Sequence, residues 1–253
     1  MSEEEGIVQP VKGKSSPELG PVVVMAATRT DLADLCRVLN RNPDDGRWLF
    51  TSRLLAKEGE LTLVGPLVGA PYAVMVLETL IAWGARRFVF AGWCGSVSPE
   101  LRIGDLLVPD AALVDEGTSG HYLPETVPPG HRSLPPGDAA GFIERALVDS
   151  GIPFRRGAVW STDGIFRETP SRLCRFRDQG AIAVEMEVSA LFTAGRFRSA
   201  AVGALLVVSD DLSKLKWRPG FRDPDFRRGR QSLCRAIGKL CQHLPNKPGS
   251  SSA

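Results

Sequence analysis

AVEMEVSALFTAGRFRSAAVGALLVVSDDL, residues 183–212, is the stretch from which the fold reads outward. Residues 183–185 read as the end of a buried strand, apolar residues recur at helical spacing over 188–197, and 200–208 is an apolar run rich in Val and Leu. Strand, helix and strand in succession is the unit of a sheet covered by helices. Acids stand where the strands end: Glu185 and Glu187 after the first, Asp210 after the second. Ligands of open α/β sheets bind outside the carboxyl ends of strands, so these carboxylates are expected around one crevice, suited to gripping hydroxyls and moving a proton. The plainer alternative makes Glu185 and Glu187 solvated strand-end residues and Met186 core packing. Against it, SDD at 209–211 closes an apolar strand where charge has no packing purpose.

The same alternation runs through the chain. A strand over 22–27 leads to a helix over 31–39 capped by Thr28 or Thr30, and a strand over 61–64 leads through GPLVGAP to a helix over 72–83. A strand over 87–91 enters GWCGS, a turn of small residues at 92–96. A short strand over 106–108, a helix over 139–150, a strand ending at 159–160, a helix over 170–178 and an amphipathic helix over 223–243 complete the series. The expected fold is α/β: a single domain over 20–244 with a central, mostly parallel or mixed sheet and helices on both faces. Polar stretches at 1–19 and 245–253 read as disordered tails. The connection over 114–137 is long and carries His121, Tyr122 and several prolines, which suits a segment covering a substrate.

Composition narrows the ligand. In a chain of 253 residues, 31 basic side chains are scattered among 29 acidic ones for a net charge of +2, so there is no electrostatic footprint for nucleic acid, and a small molecule is expected. The five cysteines, Cys36, Cys94, Cys174, Cys234 and Cys241, form no CxxC pair and there are three histidines, so neither a zinc site nor any other metal site is expected. Separate reduced thiols fit a cytoplasmic protein. No apolar run reaches the roughly 18 to 20 residues of a membrane helix, and MSEEEGIVQP is acidic where a signal peptide is basic, so no membrane partner is expected.

Two glycine-rich segments are candidate ligand contacts. In GWCGS, Gly92 and Gly95 let a ligand approach the backbone at a strand end beside Trp93, a shape that suits a nucleoside. An ordinary tight turn is the alternative, since neither the GxGxxG nor the P-loop pattern is present. GPLVGAP, residues 65–71, opens a helix, so its amides are placed either to receive an anion or simply to cap.

In this order, GWCGSVSPELRIGDLLVPDAA, WSTDGIFRE, and VEMEVSAL followed by VVSDDL resemble the nucleoside phosphorylase and nucleosidase superfamily, which includes uridine phosphorylase, hexameric purine nucleoside phosphorylase and methylthioadenosine nucleosidase. The match spans about 22–211. The resemblance implies cleavage of an N-glycosidic bond, with inorganic phosphate as co-substrate in the phosphorylases and no cofactor. It implies a homo-oligomer, dimer or hexamer, with sites completed across interfaces. By position, Met186 and Glu187 match the residues that hold the ribose, with Glu185 beside them. Asp210 matches the aspartate with which purine-type members protonate the base at N7, and Ile165 and Phe166 match the base-side loop. Arg47 matches an arginine that reaches the phosphate of a neighbouring subunit.

The chain also departs from the family pattern. Where phosphorylases carry Gly-Asp-Pro-x-Arg after the first strand, this chain reads AATRTDL. Phe90 replaces an arginine and Trp93 a Ser or Thr, both phosphate ligands in the family. Nucleosidases place a glutamate near the position of Arg29. Arg29, Thr28 and Arg47 are therefore the candidates to rebuild a phosphate site, an arginine fork being shaped for phosphate oxygens. Phosphorolysis is the expectation, with a hydrolytic nucleosidase and a nucleoside-binding protein without turnover as alternatives. KLKWRPGF, 214–221, reads as a lid over the base or as a surface loop.

Overall fold

The computed structural model of the chain describes residues 6–57, 59–123 and 130–240. Three parallel neighbours form its centre: β1 (Val22–Ala26), β4 (Leu61–Gly65) and β5 (Arg87–Ser96). Every residue of β1 and β4 is buried, as expected of strands covered on both faces. A hairpin of β2 (Arg47–Leu49) and β3 (Ser52–Leu55) extends this side antiparallel to β4. The sequence reading has no element over these residues.

On its other edge β5 pairs in parallel with β10 (Ala201–Asp211). β10 pairs with β6 (Leu106–Asp115), β6 with β8 (Arg155–Thr162) and β8 with β9 (Ala181–Glu185), and β9 returns to β5 at Gly95 and Ser96. The pairings close a ring, so the sheet is mixed and part of it curls into a small barrel. β7 (Arg132–Ser133) pairs with β6, and β11 (Arg218–Pro219) with the end of β10.

Among the described residues six helices flank the sheet: α1 (Arg29–Val38), α2 (Ala70–Ala82), α3 (Ala139–Asp149), α4 (Pro170–Asp178), α5 (Val188–Phe197) and α6 (Pro224–Leu240). Close approaches along β10 show the layering. A Cβ on Gly203 would meet Ala139, Ala140 and Ile143 of α3, and Val207 reaches Gly229 of α6, whereas Val202 reaches Gly195 of α5. Successive strand residues point to opposite faces, so α3 and α6 cover one face of β10 and α5 the other. α1 packs with α6, and α2 with α5.

Three local differences from the sequence reading concern the site. GWCGS is no turn: β5 continues through it to Ser96, because Gly92, Cys94, Gly95 and Ser96 are buried and have β10 and β9 as partners. β6 runs ten residues rather than three, and the connection after it contains a 3-10 turn at Ser119–His121 and the strand β7. β10 continues through Ser209 to Asp211, with a register shift between Val208 and Asp210. Of the N-terminal stretch expected as a tail, the carbonyls of Val11 and Ser15 accept hydrogen bonds from Trp83 Nε1 (3.1 Å) and Arg47 Nη1 (2.6 Å). Residues 1–5, the end of the expected final helix at 241–243 and the expected tail at 245–253 lie outside the described residues, as do 124–129 of the long connection.

Candidate active site

Strand register sets the geometry. Gly95 of β5 lies opposite Val184 of β9 on one edge and Asp210 of β10 on the other. Adjacent strands lie about 4.8 Å apart, which puts the end of β9 and Asp210 about 10 Å from each other, the span of a base and its sugar. The register shift at Ser209 turns the end of β10, and bulges of this kind re-aim side chains. Asp210 accepts from Ser209 Oγ at 2.6 Å and from Trp217 Nε1 at 2.9 Å. The Trp217 segment is therefore held at the site by β11. A Cβ on Gly95 would stand 2.7 Å from Leu212 and 3.2 Å from Asp210 Oδ2, so this position has no room for a side chain.

At the end of β9 the two glutamates do different work. Glu185 is spent on its own chain: it accepts from Ser161 Oγ and from the amides of Glu187 (2.6 Å) and Val188 (2.7 Å), capping α5. This explains why sequence position alone cannot separate Glu185 from a ligand residue: the acid is at a strand end, but its oxygens face the helix that follows. Glu187 Oε1 accepts from the Gly69 amide at 2.6 Å, joining this junction to the start of α2. Of the GPLVGAP amides, read as receiving an anion or as capping the helix, that of Gly69 meets this carboxylate. Burial raises both acids, Glu185 to about 7 and Glu187 to about 8; the Glu116 charge adds to the first and the Glu185 charge to the second. Met186 between them is half-buried.

The loop after β8 carries Ile165 and Phe166, 53% and 96% exposed, on a 3-10 turn over Ile165–Arg167. Among the described residues neither belongs to a core cluster, which leaves them to a ligand or a second surface. Glu168, which sequence reasoning missed, follows them and is half-buried. Burial and the Asp210 charge push its carboxyl up to about 7, against the pull of Arg172. Glu116 was also missed: its buried carboxylate accepts from the Ser119 amide (3.0 Å) and Ser189 Oγ (2.9 Å), fixing the start of the long connection to α5. The Gly117 amide donates to Asp163 at 2.9 Å. His121 and Tyr122 line a cleft of about 700 Å³ together with Asp163, Pro71, Val74 and Met75.

The residues expected to rebuild a phosphate site are not brought together. Thr28 caps α1, accepting from the Asp31 amide at 3.0 Å and donating to Asp31 Oδ2 at 2.7 Å. Asp31 is buried and paired with Arg230 of α6 at 2.8 Å, so the anion-attracting end of α1 already holds a carboxylate. Arg29 is exposed, and Arg47 lies on β2, at the far edge of the sheet beyond β4 and β3. Phe90 is buried. Trp93 packs edge-on against Phe226 at 5.0 Å, with the Arg230 guanidinium 5.6 Å above its ring, and its buried Nε1 has no acceptor among the described residues.

The family model described as the phosphorylase superfamily matches residues 21–236. The chain belongs to that superfamily. A guanosine phosphorylase of Halorubrum lacusprofundi is 28% identical over 60% of this chain and 62% of its own length. A DeoD-type purine nucleoside phosphorylase of Bacillus cytotoxicus is 25% identical over 62% and 66%. The chain thus spans less than two thirds of either relative. Among solved structures, purine nucleoside phosphorylase from Toxoplasma gondii superposes with a TM-score of 0.74 at 21% identity, covering 96% of this chain and 98% of that one. AMP nucleosidase from Bacteroides thetaiotaomicron superposes with 0.69 at 26% identity, covering 90% and 91%. The superfamily fold accounts for the mixed sheet and the flanking helices described above.

Proposed function

We propose that this protein cleaves the N-glycosidic bond of a purine nucleoside by phosphorolysis, releasing free base and ribose or deoxyribose 1-phosphate. The observation that carries the reading is that β9, which leads into Glu187, and Asp210 of β10 lie on either side of Gly95 at one end of the sheet. Glu187 accepts the ribose hydroxyls, Asp210 hands a proton to N7 of the departing purine, and Met186 packs on the sugar. Trp93, Ile165 and Phe166 border the base, and Gly95 lets it lie against β5. A nucleophile beneath C1′ completes the displacement while the sugar carries oxocarbenium character. Inorganic phosphate is that nucleophile, no cofactor takes part, and the names of the two sequence relatives support this choice.

A second reading, hydrolysis, has its own support. Asp31 stands at the start of α1, Phe90 and Trp93 occupy strand positions where phosphorylases carry phosphate ligands, and Arg47 lies at the far edge of the sheet, so phosphorolysis requires Arg47 to serve the site of a second subunit, as the resemblance implies. The reading therefore includes a homo-oligomer. Exposed Phe50 and Met75 beside the 700 Å³ cleft supply apolar surface for it, and sedimentation of the purified protein checks it. A cytoplasmic setting agrees with the four described cysteines, all unpaired thiols.

The test is chromatography of purine and pyrimidine nucleosides incubated with the protein, with and without inorganic phosphate. Phosphate-dependent release of a purine base with a sugar 1-phosphate is the expected result. Phosphate-independent release establishes hydrolysis, and no release from any nucleoside removes catalysis from the reading.

A further inference from the structure

The carboxyl of Asp210 is gripped by two donors of different kinds. Ser209 Oγ donates to Oδ1 at 2.6 Å and Trp217 Nε1 to Oδ2 at 2.9 Å. Oδ2 is the oxygen turned towards Gly95, since a Cβ on that glycine would stand 3.2 Å from it, so the indole holds the oxygen nearest the place given to the base. The serine hydroxyl has a second acceptor, the Cys94 carbonyl 3.2 Å away, and can rotate towards it. The indole has no such freedom, being a donor only, and it takes no proton from a carboxyl. Although 60% exposed, Trp217 is anchored through both its backbone and its ring. β11 pairs Pro219 with Asp210 and Arg218 with Asp211, and the Gly220 amide donates to the Ser209 carbonyl at 2.9 Å. The Trp217 ring lies 6.4 Å from Phe221, which lies 6.3 Å from the buried Phe226 of α6.

We propose that Trp217 is a positioning residue for the proton transfer, acting through Asp210. The inference rests on the proposed purine nucleoside cleavage. As the C1′–N9 bond breaks, its electron pair goes to the purine, N7 takes the proton of Asp210, and the carboxyl is left as an anion. Phosphate forms the new bond at C1′ and gives its own proton to solvent, from which Asp210 is recharged. Hydrogen bonds to an ionised partner are about twice as strong as neutral ones, so the indole N–H gains strength as the proton leaves Asp210. An interaction stronger in the transition state than before it raises kcat and leaves substrate binding alone.

The experiment measures kcat and KM of wild type, Trp217→Phe and Trp217→His, with phosphate present, on inosine and on 7-methylguanosine, whose base is already cationic and leaves without a proton at N7. Phenylalanine keeps a ring beside Phe221 and removes the N–H. Its kcat on inosine falls about 10- to 100-fold, the usual worth of a hydrogen bond to a charged group, at little-changed KM, while kcat on 7-methylguanosine falls far less. Histidine, which returns a ring N–H, restores part of the loss. The ratio of the two rates does not depend on the fraction of the variant that folds. Equal losses on both nucleosides overturn the assignment and make Trp217 a structural residue or a wall of the pocket. A lower KM for inosine at unchanged kcat overturns it as well, since Trp217 is then an obstacle that the base displaces. Wild-type protein inert towards both nucleosides overturns the underlying activity and this inference with it, whereas an active wild type with an unchanged ratio in Trp217→Phe overturns this inference alone.

Discussion

Asp210 and Glu187 show what a single residue's position implies. Glu187 follows the buried strand β9 and Asp210 lies at the end of β10, and charge at such places is what raises the expectation of a site from the sequence itself. Glu185 has the same signature and a different fate, because the amides of Glu187 and Val188 claim its oxygens. Trp217 has no signature: a tryptophan between lysine and arginine looks like surface until the fold delivers its indole to Asp210. Replacing Asp210 by Asn keeps its size and removes the carboxyl group. Turnover of purine nucleosides should then drop about 10²- to 10⁴-fold with KM nearly unchanged in steady-state kinetics. Undiminished turnover would take Asp210 out of the mechanism.

Among elements, the helix start at α2 is the one whose backbone bears directly on the site. Gly69 precedes α2 with φ of 87°, a conformation that side chains disfavour, and its amide is the donor to Glu187. A Cβ there would meet no atom within 4 Å, so Gly69→Ala isolates the backbone cost. The variant should lose about 1–3 kcal/mol in urea unfolding and raise the KM for nucleoside, because Glu187 loses its anchor. Wild-type stability and KM together would show that the loop adapts freely. Periodicity places the helices to within a few residues. Strand ends escape it: GWCGS looks like a turn because glycine and serine are common in turns, and it remains a strand because β9 and β10 supply partners on both edges.

For the whole molecule, stability should fall as the medium becomes alkaline. Glu185 and Glu187 have folded values raised above the ordinary 4.5 to about 7 and about 8, so the folded state binds more protons than the unfolded chain between those limits. Their contribution is fully present below about pH 4.5 and is lost as pH rises through 7 and 8. Urea midpoints measured from pH 6 to pH 9 at constant ionic strength should decline, and Glu187→Gln should flatten the decline. A slope that the variant leaves unchanged would place the effect in other groups.

By itself the sequence determined the α/β class, the parallel core strands, most helices and the two strand-end acids, because these follow from local periodicity and from the cost of burying charge without a use for it. Only the tertiary structure decided that the sheet curls into a ring, that Asp31 occupies the start of α1, and that Glu185 serves the fold while Trp217 reaches Asp210. Those outcomes depend on which strand lies beside which, and on groups as far apart as Gly69 and Glu187 sharing one hydrogen bond. A pattern confined to one segment carries no record of the segment it will meet.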